Sequence, residues 1–315
     1  MMRMLAFVSV STSGIPGGVF LAVSLGLISV WSLIRMYRTL KGSTLVAPWG
    51  WSLIAVASIT ISETVIWWQQ GSGWEAWTGH LRFLAAATTL CPIMAVLGAK
   101  RPQNRAWQMI VLSLWGTVAL PAVAALSFWP HQALILHPAW QWFLAALIGV
   151  GLFNYLPTRF WPSSLLICAA QICLFADHLP VRVFSRDPFV GWIGMACGTV
   201  AIVLRAYELP PRREVVEPID RLWLDFRDSF GALWALRLAD RFNDAAKRFD
   251  WGVWLTWNGL VRDTPQESME QSPSLKAMTS IAVSDEVRTA MHKTINGMLR
   301  RFLAPPLGSD RNTSN

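Results

Sequence analysis

Charge is what this sequence has least of. Asp, Glu, Lys and Arg make up 15% of its 315 residues, against about a quarter in an average soluble domain. With 53% hydrophobic residues, 19 Trp and a mean hydropathy of +0.38, the chain lacks the polar side chains that coat a soluble globule. Cysteine is scarce too. Cys91, Cys168, Cys173 and Cys197 all fall in apolar runs, where thiols act as small apolar residues, so a disulfide or zinc framework is excluded. All five Lys lie outside those runs, which excludes a retinal Schiff base of the rhodopsin type. No P-loop, G-x-S-x-G or H-E-x-x-H string is present. No apolar run holds a Ser–His or Asp–Asp arrangement suited to intramembrane hydrolysis.

What is abundant is segregated apolar sequence. Runs of the length that crosses a hydrocarbon core, about 20 residues, occur at 15–36, 47–68, 81–99, 107–129, 139–156, 161–177 and 188–207. The expected fold is therefore an all-α integral membrane protein, a seven-transmembrane-helix bundle over 15–207 with a short external N-terminus at 1–14. The basic residues alternate between the connections. Arg35, Arg38 and Lys41, then Lys100, Arg101 and Arg105, then Arg159, and finally Arg205, Arg212 and Arg213 mark one side, with no acidic residue in the first three groups. The other side carries Arg3, Arg82, Arg182 and Arg186, offset by Glu63, Glu75, Asp177 and Asp187. The positive-inside rule then gives N-out, C-in, in a plasma or bacterial inner membrane, and explains the net charge of +8 without nucleic acid. Pro92 and Pro121 predict kinks in the third and fourth spans, and Gly194 and Gly198 form a G-x-x-x-G packing face in the seventh.

Within the stretch SLIAVASITISETVIWWQQ one carboxylate, Glu63, stands five residues before Trp68, at the outer end of its span. Arg82 enters the next span at a similar depth. A Glu63–Arg82 pair neutralises both, since a lone ion there costs a few kcal/mol; the other reading is the mouth of an ion or substrate path. The remaining polar candidates for such a path or ligand are Asn154, Gln171 and Asp177.

His80, His131, His137 and His178 all fall at outer ends or outer loops, a distribution that suits metal or haem ligands. With their Trp-rich flanks these outer segments resemble haem-handling membrane proteins of cytochrome c maturation. The tryptophan motif of that group is absent from the outer side. WGVWLTWN at 251–258 departs from it in spacing, ends in Asn rather than Asp, and lies on the inner side.

From Pro210 the composition turns charged and amphipathic. Apolar residues recur at helical spacing from Pro218 to about 250 and predict one long helix in the segment 208–263. Its polar face balances six basic against six acidic residues, unlike the Lys/Arg-rich face of a membrane-surface helix. The stripe of Trp223, Phe226, Phe230, Leu233 and Trp234 therefore predicts packing on protein, either the inner loops or a partner. A hairpin around Asn258-Gly259 follows. Beyond it come a flexible linker at 264–283, a basic amphipathic helix at 284–303 suited to an anionic leaflet, and a disordered tail at 304–315.

No cofactor is implied by these residues. They predict a non-enzymatic sensor or scaffold in the lipid bilayer whose cytoplasmic tail engages a protein partner or a second copy. The alternatives are a small-solute transporter with a 3+1+3 helix arrangement, resting on the echo of SLIAVA at 52–57 in SLLICA at 164–169, and outer-face metal or haem handling.

Overall fold

A computed structural model describes residues 15–69, 75–100, 104–181, 189–211, 217–262 and 285–302. The N-terminus at 1–14, the linker at 264–283, the tail at 304–315 and the charges at 182–187 lie outside the described residues. Eight helices of the apolar region are α1 (Ile15–Leu40), α2 (Val46–Trp68), α3 (Glu75–Thr88), α4 (Cys91–Leu97), α5 (Asn104–Phe128), α6 (Pro138–Tyr155), α7 (Trp161–Leu174) and α8 (Phe189–Ala206). Five stretches, Gly17–Leu40, Val46–Trp68, Trp77–Leu97, Ala106–Phe128 and Phe189–Ala206, are long and apolar enough to cross a membrane. The 18 residues of α6 reach about 27 Å and the 14 of α7 about 21 Å, the latter well short of a hydrocarbon core of about 30 Å. On the bundle's outside Phe20, Leu27 and Trp31 stand exposed, a surface that suits lipid and not water.

The third apolar stretch is broken. Thr89 and Leu90 close on Ala86 and Ala87 with tightened i→i−3 bonds, and α4 restarts with Pro92 in its first turn. Pro92 has no N–H to continue the ladder. The amide of Gln171 on α7 donates to the Thr89 carbonyl at 3.1 Å, satisfying a group that the break exposes. At Pro121, by contrast, the helix is not interrupted: α5 runs through it. Gly194 packs against the backbone of α7, where an added Cβ would meet the Ala170 carbonyl at 3.1 Å, so the small-residue face joins helices of one bundle. Ser29 of α1 and Thr199 of α8 are hydrogen-bonded at 2.9 Å.

The tail corrects the expectation of one long helix. It breaks at Gly231 into α9 (Pro218–Phe230) and α10 (Ala232–Arg248). Gly231 has φ +82°, a conformation open to glycine and strained for other residues. A Cβ there would run into the side chain of Asn154 from α6. That same side chain accepts from the Leu233 N–H at 3.1 Å and so caps the first turn of α10 from another helix.

After α10 the chain forms an antiparallel hairpin, β1 (Val253–Thr256) and β2 (Gly259–Arg262), turning at Trp257 and Asn258. Asn243 brackets Leu255, donating to its carbonyl and accepting from its N–H. Asp220 accepts from the Leu260 N–H at 2.7 Å. Burial raises the Asp220 carboxyl above its ordinary range, against the pull of that hydrogen bond.

The last helix, α11 (Asp285–Leu299), lays Met291, Ile295 and Leu299 into the same core as Trp223, Phe226, Phe230, Leu238 and Phe242. Phe302 fills its centre, with Phe226, Phe230 and Trp234 rings 5.0–5.1 Å away. The apolar face assigned to an anionic leaflet is thus buried in protein, while Arg300 and Arg301 stay exposed. Leu45, Val96 and Ala99, from the end of the bundle nearest the tail, belong to this core too.

Gly231→Ala should loosen the tail by about 1–3 kcal/mol of backbone strain, and Asn154→Ala by about 1 kcal/mol of lost capping. Limited proteolysis of the full chain in detergent is expected to cut α9–α10 faster in both. Wild-type protection in either variant would refute the role given to this junction.

Candidate functional site

Three places bring polar groups together. The first is at the end of the bundle away from the tail. Glu63 of α2 is fully buried, and Arg82 of α3 meets it through two parallel bonds, Nε to Oε1 at 2.8 Å and Nη2 to Oε2 at 2.9 Å. This fork geometry is the strongest form of a carboxylate pair. Gly191 of α8 lies directly over it, so that a Cβ would sit 2.8 Å from Glu63 Oε2 and 2.9 Å from Arg82 Nη2. Beside it the Trp67 and Trp192 rings stack at 4.1 Å. Both carboxylate oxygens are engaged, and three helices meet on one neutralised pair.

The histidines are dispersed around this end. His80 is fully buried on α3. His178, in the 3₁₀ turn Ala176–His178 after α7, is buried edge-on to Phe83 at 4.9 Å. His131 and His137 are exposed, and His137 Nδ1 accepts from the Ala139 N–H at the start of α6. Asp177 is exposed. Among the described residues no group of three or more His, Cys, Asp or Glu could hold a metal ion.

The second place is a cavity of about 320 Å³ within the bundle. Its walls are mainly apolar, with Leu33, Ile59, Ile167 and Met195 among them, and Gln171 and Thr89 on one side. At the end facing the tail, Arg205 of α8, Tyr155 of α6 and Ser229 of α9 line it beside the apolar Leu45 and Val96. The Tyr155 hydroxyl donates to the Ser229 carbonyl at 3.1 Å, so the tail forms part of the floor. Arg205 Cζ stands 3.8 Å from the Phe160 ring centroid and Arg159 Cζ 4.4 Å from the same ring. Asn154 does not border this cavity; it is committed to the α9–α10 junction.

The third is the seam between bundle and tail. Asp228, buried, accepts from Arg227 Nε and Nη2 at 3.0 and 2.8 Å, and Arg159 approaches it at 3.5 Å. Arg227 also donates to the Trp257 carbonyl, and the Trp257 indole to the Pro157 carbonyl. The Trp234 indole donates to Val96 O at 2.9 Å, and the Thr44 hydroxyl to Ala99 O at 2.6 Å. Of the stripe expected to bind a partner, Trp223, Phe226 and Phe230 are inside the chain's own core, Trp234 is partly buried in the seam, and Leu233 is exposed. Nearby, Lys100 is pushed below its ordinary range by desolvation and by Arg241, Arg301 and Arg237 around it.

Sequence reasoning used Arg205 only as an orientation mark and did not single out Tyr155 or Phe160. The available signal was an Arg in the last turn of an apolar helix, which snorkelling explains equally well. The architecture is that of an all-α membrane protein. Comparison with protein-family models, curated proteins and solved structures finds no match for the chain.

Removing one partner of a buried pair strands the other charge, at about 3–5 kcal/mol. Glu63→Gln and Arg82→Gln should each lower the melting temperature in detergent, with the double variant costing clearly less than the sum. Additive losses would mean that the two side chains act apart.

Proposed function

We propose that the protein is a non-enzymatic membrane sensor or scaffold whose tail domain, seated on the inner ends of the bundle, engages a cytoplasmic protein. The observation that carries this reading is the shared core: Leu45, Val96 and Ala99 of the bundle pack with α9, α10 and α11. A domain joined to the bundle in this way moves with its helices, which is what a sensor needs of its output. With Trp223, Phe226 and Phe230 occupied internally, the surface left for a partner includes Phe249, Trp254 and Val261, which are 62%, 39% and 52% exposed.

Seven crossings, N-out and C-in, fit this reading. The tail touches the α1–α2 turn through Thr44 and Phe302, the end of α4 through Val96 and Trp234, and the α6–α7 turn through Arg159 and Asp228. Turns that contact one compact domain share one side of the membrane, so α6 and α7 both cross despite the shortness of α7. The basic residues of those turns make that side cytoplasmic by the positive-inside rule, in a plasma or bacterial inner membrane.

A second reading, transport, draws on the cavity that reaches Gln171. Its apolar walls suit an apolar solute, and not a small ion.

Labelling of intact cells with a membrane-impermeant maleimide should modify Gln132→Cys, in the exposed α5–α6 connection, and spare Asp240→Cys until the membrane is opened. The reverse pattern would overturn the orientation. A photo-crosslinker at Trp254 of the full chain should give one discrete heavier adduct in cells, and one at Gln132 should not. Absence of any adduct at Trp254, Phe249 and Val261 would count against the partner-engaging role.

A further inference from the structure

We propose that the bundle cavity is a lipid site on the tail side of the membrane, taking one acyl chain of an anionic phospholipid with its phosphate on Arg205. This inference does not depend on whether the tail engages a partner. Along α8 the cavity extends from Gly194 to Arg205, about 16 Å of helix rise, and its polarity is arranged like that of an amphiphile. Apolar side chains line its length, while the guanidinium of Arg205 and the hydroxyl of Tyr155 stand together at the inner end.

Charge at that end is unbalanced. Asp228 is taken by Arg227 and Arg159, and Glu208 by Arg159 at 3.5 Å. Arg35 lies over the Tyr207 ring at 4.6 Å. Among the described residues no carboxylate lies within salt-bridge distance of Arg205, which covers the Phe160 ring, while Glu208 and Asp228 act on it from farther off. A cation in the last turn of an apolar helix, held on an aromatic face and bordering an apolar void, is placed to receive an anion whose remainder is apolar.

Water does not fill an apolar void well, and an empty one forfeits dispersion contacts along its whole lining. An acyl chain restores them at little cost, because it leaves one hydrocarbon phase for another. Selectivity must therefore come from the head. Ile167 both lines the cavity and is 38% exposed, so this wall of the cavity borders the bundle's outside, where lipid is the solvent. A diacyl lipid can insert one chain and leave the other in the bilayer, with the phosphate at the depth of the α8 terminus.

The test uses the full-length protein in mild detergent, delipidated and then titrated with phosphatidylglycerol, phosphatidylcholine or oleate, with bound lipid counted by native mass spectrometry. Wild-type protein should favour phosphatidylglycerol over phosphatidylcholine by at least about tenfold in Kd, the effect of one charge-assisted contact. Arg205→Gln should abolish the preference and Arg205→Lys should keep most of it. Ile167→Trp, which fills the cavity from its exposed wall, should reduce occupancy by both phospholipids. Equal binding of the two in wild-type, or a preference that survives Arg205→Gln, would overturn the site. Oleate binding more tightly than phosphatidylglycerol would overturn the phospholipid assignment in favour of a free carboxylate.

Discussion

The contact between Asn154 and Gly231 organises more of this molecule than any other. Without it, Pro218 to Arg248 would continue as a single rod of about 46 Å, and its apolar stripe would lead away from the membrane. The amide of Asn154 occupies the space in which a Cβ would sit and supplies the acceptor that the restarted helix needs. The chain folds back at that point. Only then does Trp234 reach Val96 and do Phe226, Phe230 and Trp234 close around Phe302. The placement of α11 depends on that aromatic cluster, so one helix end in the bundle governs the assembly of the tail.

The two ends of the bundle handle charge in opposite ways. At the end away from the tail one carboxylate and one guanidinium meet through two parallel bonds beneath a glycine. At the inner end there are more arginines than carboxylates, and aromatic faces hold the surplus. Phe160 alone receives two guanidinium groups.

Much of this architecture is legible in the linear sequence because its causes are local. Apolar runs of about twenty residues mark the helices of the bundle, and five stretches are long and apolar enough to cross a membrane. The short connection after Trp68 makes Glu63 and Arg82 neighbours. The neutral, doubly charged face of the tail marks it as a helix that packs on protein, and α9 and α10 do pack on the bundle and on α11. Less was legible where two distant segments share one space. The break at Gly231 looks, in sequence, like a tolerable glycine inside a helix, and the helix signal on both sides of it is strong. Pro92 and Pro121 look alike as well. Only the first interrupts its helix, at a break where Gln171 from α7 reaches the Thr89 carbonyl.

By itself, then, the sequence determined the solvent in which this chain folds, the places where its helices lie and the amphipathic nature of its tail, since periodicity and partition depend on residues close together. Tertiary structure alone decided that the tail's apolar stripe is covered by its own chain, that the stripe bends at Gly231, and that Arg205 lines a cavity. Each of those depends on separate elements meeting, as where Asn154 of α6 reaches Leu233 at a separation of 79 positions, and no local pattern encodes which of them will meet.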